Sequence, residues 1–183
     1  MNVLKSLNRA GALLALVSTL MISGAATAQT VEEIVQRGTV TIGVLVGAPP
    51  FGSVDSMGNA IGYDADVAEL VGKYMGLPVE LVQLTPPSRI PALESGRVDF
   101  LVATLARTPE RELVVTFTNP YSAFQVGIYA NKDLPITDWS GLKGMSVGVN
   151  RGSSVENELV SREAELDLTI LRFEDDATTM QAL

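Results

Sequence analysis

Four short stretches hold the residues whose types and spacing suit chemistry. They are Gly47-Ala48-Pro49-Pro50-Phe51, Thr85-Pro86-Pro87-Ser88-Arg89, Thr104-Leu105-Ala106-Arg107-Thr108-Pro109-Glu110-Arg111 and Asn150-Arg151-Gly152-Ser153-Ser154. Arginine recurs in three of them, and hydroxyl side chains recur in three. A guanidinium fork grips a carboxylate through two parallel hydrogen bonds, and hydroxyls and free N–H groups fill its remaining lone pairs. Ser153 and Ser154 stand where a helix is expected to open. Their amides are expected to be unpaired donors carrying partial positive charge. The chemistry implied is recognition of an anion. Taken singly, each arginine also reads as a solvated surface charge, and Ser153 is an N-cap whether or not it binds anything. Phe51 reads equally as core packing or as a pocket wall. Tyr63-Asp64 and Asp66 read as a turn and a helix start.

The elements that must position these loops alternate. Residues 40–46 read as a buried strand and 47–62 as a Gly/Pro-rich loop. An amphipathic helix is predicted over 64–75, with Val67, Leu70, Val71, Tyr74 and Met75 on its apolar face. A strand is predicted over 79–84, and a short helix capped by Ser88 runs to about Gly96. A strand over 100–104 precedes a turn of helix opened by Thr108-Pro109-Glu110. After Pro120 the pattern restarts with a strand over 124–130, then strands over 145–149 and 168–173. Between the last two a helix starts at Val155, where Ser153 and Glu156 have capping-box spacing, and a final helix is capped by Asp176. This rhythm predicts an α/β fold with mostly parallel sheets, in which each of the four loops follows the C-terminal end of a strand, where open α/β sheets bind ligands.

Composition narrows the chemistry. The 183 residues include no histidine and no cysteine. That excludes disulfides, thiolate metal sites and a histidine-based catalytic triad, and leaves a transition-metal site little to build on. No glycine pattern matches a dinucleotide or phosphate-loop fingerprint in spacing and context, so no cofactor is expected. Residues 1–28 read as a signal peptide. Lys5 and Arg9 precede an uncharged apolar run over 10–22, and Ala26-Thr27-Ala28 offers a cleavage site. Cleavage would leave 155 residues with 11 basic and 21 acidic side chains, a net charge of −10. Such a surface repels nucleic acid and anionic lipid, so a bound anion must be held by local positive charge.

The runs Val40-Thr41-Ile42-Gly43-Val44, Pro49-Pro50-Phe51, Gly62-Tyr63-Asp64-Ala65-Asp66, Ile90-Pro91-Ala92-Leu93 and Gly96-Arg97-Val98-Asp99 occur in order. They are followed by Glu110-Arg111, Pro120-Tyr121, Val147-Gly148-Val149 and Gly152-Ser153-Ser154. Together they resemble the family 3 extracellular solute-binding proteins, periplasmic receptors of amino-acid ABC importers. The resemblance implies two α/β lobes, 29–123 and 132–183, joined through a hinge strand at 124–131, with the second lobe truncated at the C-terminus. It implies that Arg111 clamps the α-carboxylate of an amino acid. Thr104 would touch carboxylate and amine, Ala106 would offer its N–H, and Ser154 beside Ser153 would complete the carboxylate site on closure. Arg89 would reach the side-chain carboxylate of an acidic ligand, and the aromatic wall that many members place at the position of Ala48 would be either missing or supplied by Phe51. The family's amine-binding aspartate would lie beyond Leu183.

The expected function is capture of an amino acid, acidic or polar, by a monomer that delivers it to a membrane permease, with no bond broken. Two alternatives share the scaffold: a dehydratase-like enzyme, whose acid would be Asp55, Glu110 or Glu156, and the sensing domain of a receptor.

Overall fold

The computed structural model describes residues 30–183, and the expected signal peptide lies outside the described residues. The first element, α1 (Val31–Arg37), is one that the sequence pattern did not anticipate. Its signal is local: the Thr30 hydroxyl accepts from the Glu33 N–H, and the Glu33 carboxylate accepts from the Thr30 N–H, a complete capping box.

Strand β1 (Val40–Leu45) is flanked by two short paired strands, β2 (Ser53–Val54) and β3 (Ala60–Ile61), and then by helix α2 (Tyr63–Met75). Strand β4 (Val79–Leu84), a 3-10 turn at Pro86–Ser88, helix α3 (Arg89–Glu94) and strand β5 (Phe100–Val102) complete a parallel sheet of order β4-β1-β5. Ile42 sits opposite Leu81 on one side and Phe100 on the other. Strand β1 is central and almost wholly buried, as its run of Val, Ile and Leu requires. Because β4 and β5 lie on opposite sides of β1, the connections diverge there, which makes the C-terminal ends of these strands a topological switch point.

Helix α2 covers this sheet with a face that overlaps the predicted one: Val67, Val71 and Met75 pack against the core as expected, but the most buried positions are small residues. Ala65, Ala68 and Gly72 are buried, whereas Leu70 and Tyr74 are exposed. Small residues let the helix axis come close to the sheet, and close approach won over side-chain hydrophobicity in choosing the most buried positions. The core beneath it consists of Ile34, Val40, Ile42, Val44, Ala68 and Val102, with Val71 and Leu81 packed against them.

The second sheet has two parallel strands, β6 (Ser146–Asn150) and β7 (Thr169–Phe173), connected through α5 (Ser154–Leu166), and α6 (Asp176–Gln181) follows. Its core joins Leu142, Val149, Leu159, Leu166, Leu168 and Ile170. Within β6 only Val149 is buried, in contrast to β1.

The strand predicted over 124–130 is not formed. Those residues have no ladder partner among the described residues, and Val126, Ile128 and Tyr129 are exposed. An extended segment with strand propensity stays irregular when no neighbour offers a row of N–H and C=O groups. The hinge strand at 124–131 is corrected accordingly. Two caps are corrected as well. Asp175, not Asp176, caps α6, its carboxylate accepting from the Thr178 N–H at 2.8 Å. Ser88 makes no cap for α3; its hydroxyl accepts from the Thr85 N–H at 3.0 Å within the preceding 3-10 turn.

Candidate ligand site

Among the described residues three charged residues are buried as a whole: Asp64, Arg89 and Arg111. They converge at the C-terminal end of the first sheet. Burying charge is costly unless hydrogen bonds replace water, so the partners of these three define the site.

Arg111 lies in α4 (Pro109–Glu112), a single turn opened by Pro109 and by Thr108, whose hydroxyl accepts from the Arg111 N–H. Its guanidinium donates to the Ala106 carbonyl at 2.7 Å and to the Gly152 carbonyl at 2.9 Å. Arg89, the first residue of α3, donates to the carbonyls of Pro86, Ala103, Thr104 and Gly152 at 2.9 to 3.1 Å. Four of its five N–H groups are thereby committed to the backbone. Burial and the neighbouring Arg111 lower the Arg89 pKa to about 10, and burial lowers that of Arg111. The Gly152 carbonyl thus bridges two cations and ties the second sheet's first loop to the first sheet. A second tie is the Asp176 N–H, which donates to the Gly47 carbonyl at 3.2 Å.

Between these loops opens a pocket of about 210 Å³, lined by Ile90, Leu105 and Arg111 from one side and Gly152, Ser153 and Asn157 from the other. Pockets for drug-sized ligands begin at roughly 300 Å³, so this one suits a small solute.

Ser153 is the N-cap of α5, its hydroxyl accepting from the Glu156 N–H at 3.1 Å. The predicted capping box is displaced by one residue, because the Glu156 carboxylate accepts from the Gly152 N–H rather than from Ser153. The Ser153 N–H is not an unpaired donor either; it donates to the Asn150 carbonyl at 3.3 Å in the tight turn before the helix. Ser154, the first helical residue, keeps an N–H with no intrahelical acceptor.

Phe51 is half-buried and packs edge-on to Tyr63 with ring centres 6.2 Å apart, and against Phe124 at 5.7 Å. Thr104 follows β5 directly and is half-buried in a left-handed backbone conformation (φ +46°). Its hydroxyl donates to the Asp64 carboxylate at 2.6 Å, and the Tyr121 hydroxyl donates to the other oxygen of that carboxylate at 2.9 Å. Burial raises the Asp64 pKa, opposed by the hydrogen bonds from Thr104 and Tyr121 and by the charge of Arg89. Burial and the Asp64 charge raise that of Tyr121.

Asp64 and Tyr121 are the residues that the sequence reading missed. Asp64 stands at the start of a helix, where an acidic residue has an ordinary local explanation. Its partners lie 40 and 57 residues away in the chain. Arg107 and Arg151 form exposed pairs with Glu112 and Glu174. The three carboxylates weighed as catalytic acids are engaged locally. Asp55 accepts from the Met57 and Asn59 amides, Glu110 is exposed in α4, and Glu156 bridges Gly152 and Arg172.

Two α/β units thus meet at a small pocket. Residues 40–181 match the family model of bacterial extracellular solute-binding proteins, family 3, and the chain belongs to that family. It is 31% identical to the glutamine-binding protein of Geobacillus stearothermophilus over 84% of this chain and 60% of that protein. It is 26% identical to the L-cystine-binding protein TcyJ of Escherichia coli over 92% of this chain and 64% of the relative. Among solved structures, a solute receptor for L-cysteine from Neisseria gonorrhoeae superimposes with a TM-score of 0.77 at 34% identity, covering 85% of this chain and 63% of that one. An ancestral arginine-binding protein bound to arginine gives 0.72 at 32% identity, over 80% and 66% of the two chains. The chain therefore spans about three fifths of the length of these relatives. Among the described residues no helix is long and apolar enough to cross a membrane.

Proposed function

We propose that the chain is part of an exported, periplasmic solute-binding protein that captures an amino acid for an ABC importer. One observation carries this reading. The buried guanidinium of Arg111 faces a pocket sized for a small solute, between two α/β units, with N–H donors left over after its two carbonyl contacts. Relatives named for binding glutamine, cystine and arginine support the ligand class.

In this reading Arg111 grips the α-carboxylate, and the free N–H of Ser154 and the neighbouring Ser153 meet it from the second lobe. Thr104 and the Ala106 N–H border the same group, and Phe51 forms an apolar wall. Arg89, with one N–H uncommitted, keeps positive charge at the side-chain end and favours an acidic or polar ligand. The lobes would be residues 29–123 and 132–183. Contacts with both favour the closed arrangement in proportion to the ligand's differential affinity for it. Release to a permease needs no covalent step, and a monomer suffices.

The test is titration calorimetry of the chain against the twenty amino acids. Arg111→Ala is expected to weaken the best ligand at least 100-fold, about 3 kcal/mol, the scale for losing one partner of a buried charge pair. Unchanged affinity in that variant, or no binding of any amino acid by the parent, refutes the assignment.

A further inference from the structure

We propose that Glu156 is a positioning residue for Arg111: anchored by Arg172, its carboxylate fixes the Gly152 backbone, whose carbonyl lies on the Arg111 and Arg89 guanidiniums. The consequence for a bound amino acid rests on the reading above; the positioning itself does not.

In sequence Glu156 reads as the acidic partner of a capping box, which would accept from the Ser153 N–H. Its bonds go elsewhere. Oε2 accepts from the Gly152 N–H at 2.7 Å, and Oε1 accepts from Arg172 Nε at 2.5 Å. Arg172 lies in β7, 16 residues further along the chain. The Glu156 N–H donates to the Ser153 hydroxyl at 3.1 Å, so backbone and side chain are both held. The side chain is only 14% exposed, which limits screening by solvent. Burial raises its pKa, but hydrogen bonds from Arg172 and the Gly152 N–H, with the charges of Arg172 and Arg151, outweigh burial and hold the carboxyl below the ordinary 4.5. It is therefore ionised at neutral pH, and both of its bonds are of the stronger, charge-assisted kind.

Gly152 carries this order across to the arginines. Its N–H is on Glu156, while its carbonyl accepts from Arg89 at 3.1 Å and from Arg111 at 2.9 Å. The peptides before and after its α-carbon are both tied, so its φ of +70° and its ψ have little freedom. That restraint matters most at a glycine, whose backbone is otherwise the freest. The rest of the loop is tied to its own unit. The Arg151 N–H donates to the Phe173 carbonyl at 2.8 Å, and the Asn150 side-chain amide donates to the Asp176 carboxylate. Arg111 meets a second carbonyl, that of Ala106, on its own side. Two carbonyls from opposite units fix the plane of a guanidinium, whereas one alone leaves it free to turn about that bond. Glu156 makes no bond to Arg111 and does not line the pocket, so its influence passes through Gly152.

Nitrogen NMR of the chain without ligand tests this. In Glu156→Ala the Gly152 amide should exchange with solvent at least about tenfold faster, the scale of one hydrogen bond to a charged group. The Arg111 guanidinium N–H resonances, resolved from one another in the parent because hydrogen bonds slow rotation, should merge. Glu158→Ala is the control: it removes an acidic residue of the same helix, and its pair with Arg162, without touching Gly152. There both signals should stay as in the parent. Arg111 resonances unchanged in Glu156→Ala, or merged equally in Glu158→Ala, overturn the proposal. If Glu156→Ala does not fold, Arg172→Met removes the anchor and keeps the aliphatic stem. Gly152 exchange should then rise at least about threefold, and an unchanged rate overturns the proposal. Calorimetry with L-glutamine and L-glutamate as probes reads the consequence for binding. Glu156→Ala should weaken the bound probe at least about fivefold, and Glu158→Ala by less than about twofold. Equal affinities in parent and Glu156→Ala overturn the ligand half. If the parent binds neither probe, that half falls with the acidic-or-polar reading, and the NMR result still decides the positioning.

Discussion

Replacing Gly152 by alanine tests the contact between the two units, and Gly144→Ala supplies its control. Both glycines have left-handed backbones, φ +70° and +73°. An alanine in that region costs roughly 1–2 kcal/mol, offset by about 0.4–1 kcal/mol from the less flexible unfolded chain. These terms are common to both sites. The difference lies in what a β-carbon meets. At Gly144 nothing lies within 4 Å, whereas at Gly152 the new atom would be 2.9 Å from Pro87 Cα and 3.3 Å from the Pro86 carbonyl oxygen. These are backbone atoms, so the loops must part by about half an ångström to reach ordinary contact. That movement draws the Gly152 carbonyl away from Arg89 and Arg111. Hydrogen bonds to charged groups are each worth about 1.5–3 kcal/mol, and partial loss of two adds roughly 1–3 kcal/mol. Gly144→Ala should therefore cost about 1 kcal/mol and Gly152→Ala about 2–4 kcal/mol. With a urea slope of about 1–2 kcal/mol/M, the second midpoint falls at least about 0.5 M further than the first. Unfolding followed by circular dichroism and by Trp139 fluorescence gives both midpoints. Equal shifts would refute the claim that the Gly152 loop is packed against the first sheet.

Two further outcomes are expected. Ser153→Ala removes the cap of α5 and should cost about 0.5–2 kcal/mol in the same assay, with reduced helix signal. Asp64 should confer a definite pH dependence. Its pKa is raised above the ordinary 3.8, so the folded state binds its proton more tightly than the unfolded state does. That contribution is fully present below pH 3.8 and is lost as pH rises through the folded value. The stability of the parent minus that of Asp64→Asn should thus be larger at pH 3.5 than at pH 7, and urea midpoints at the two pH values check the sign.

Much of this molecule was determined by the sequence alone, wherever the cause is local. Strands β1, β4 and β7 lie where runs of branched apolar residues predict them, and Thr108 and Ser153 cap helices as their spacing implies. The placement of four loops at strand ends follows from the α/β alternation itself. Tertiary structure decided what depends on distant partners. The segment 124–130 has the composition of a strand and no neighbour to pair with. Leu70 and Tyr74 gave up the buried face of α2 to Ala68 and Gly72, because only the approach of a particular sheet rewards small side chains. Arg89 reads as a ligand-reaching arginine in sequence, yet four carbonyls from three separate loops surround it in the fold. Asp64 reads as a helix start; burial beside Thr104 and Tyr121 makes it part of the site. Residue type limits which hydrogen bonds a group is able to make, and only the fold's long-range contacts select which of them it makes.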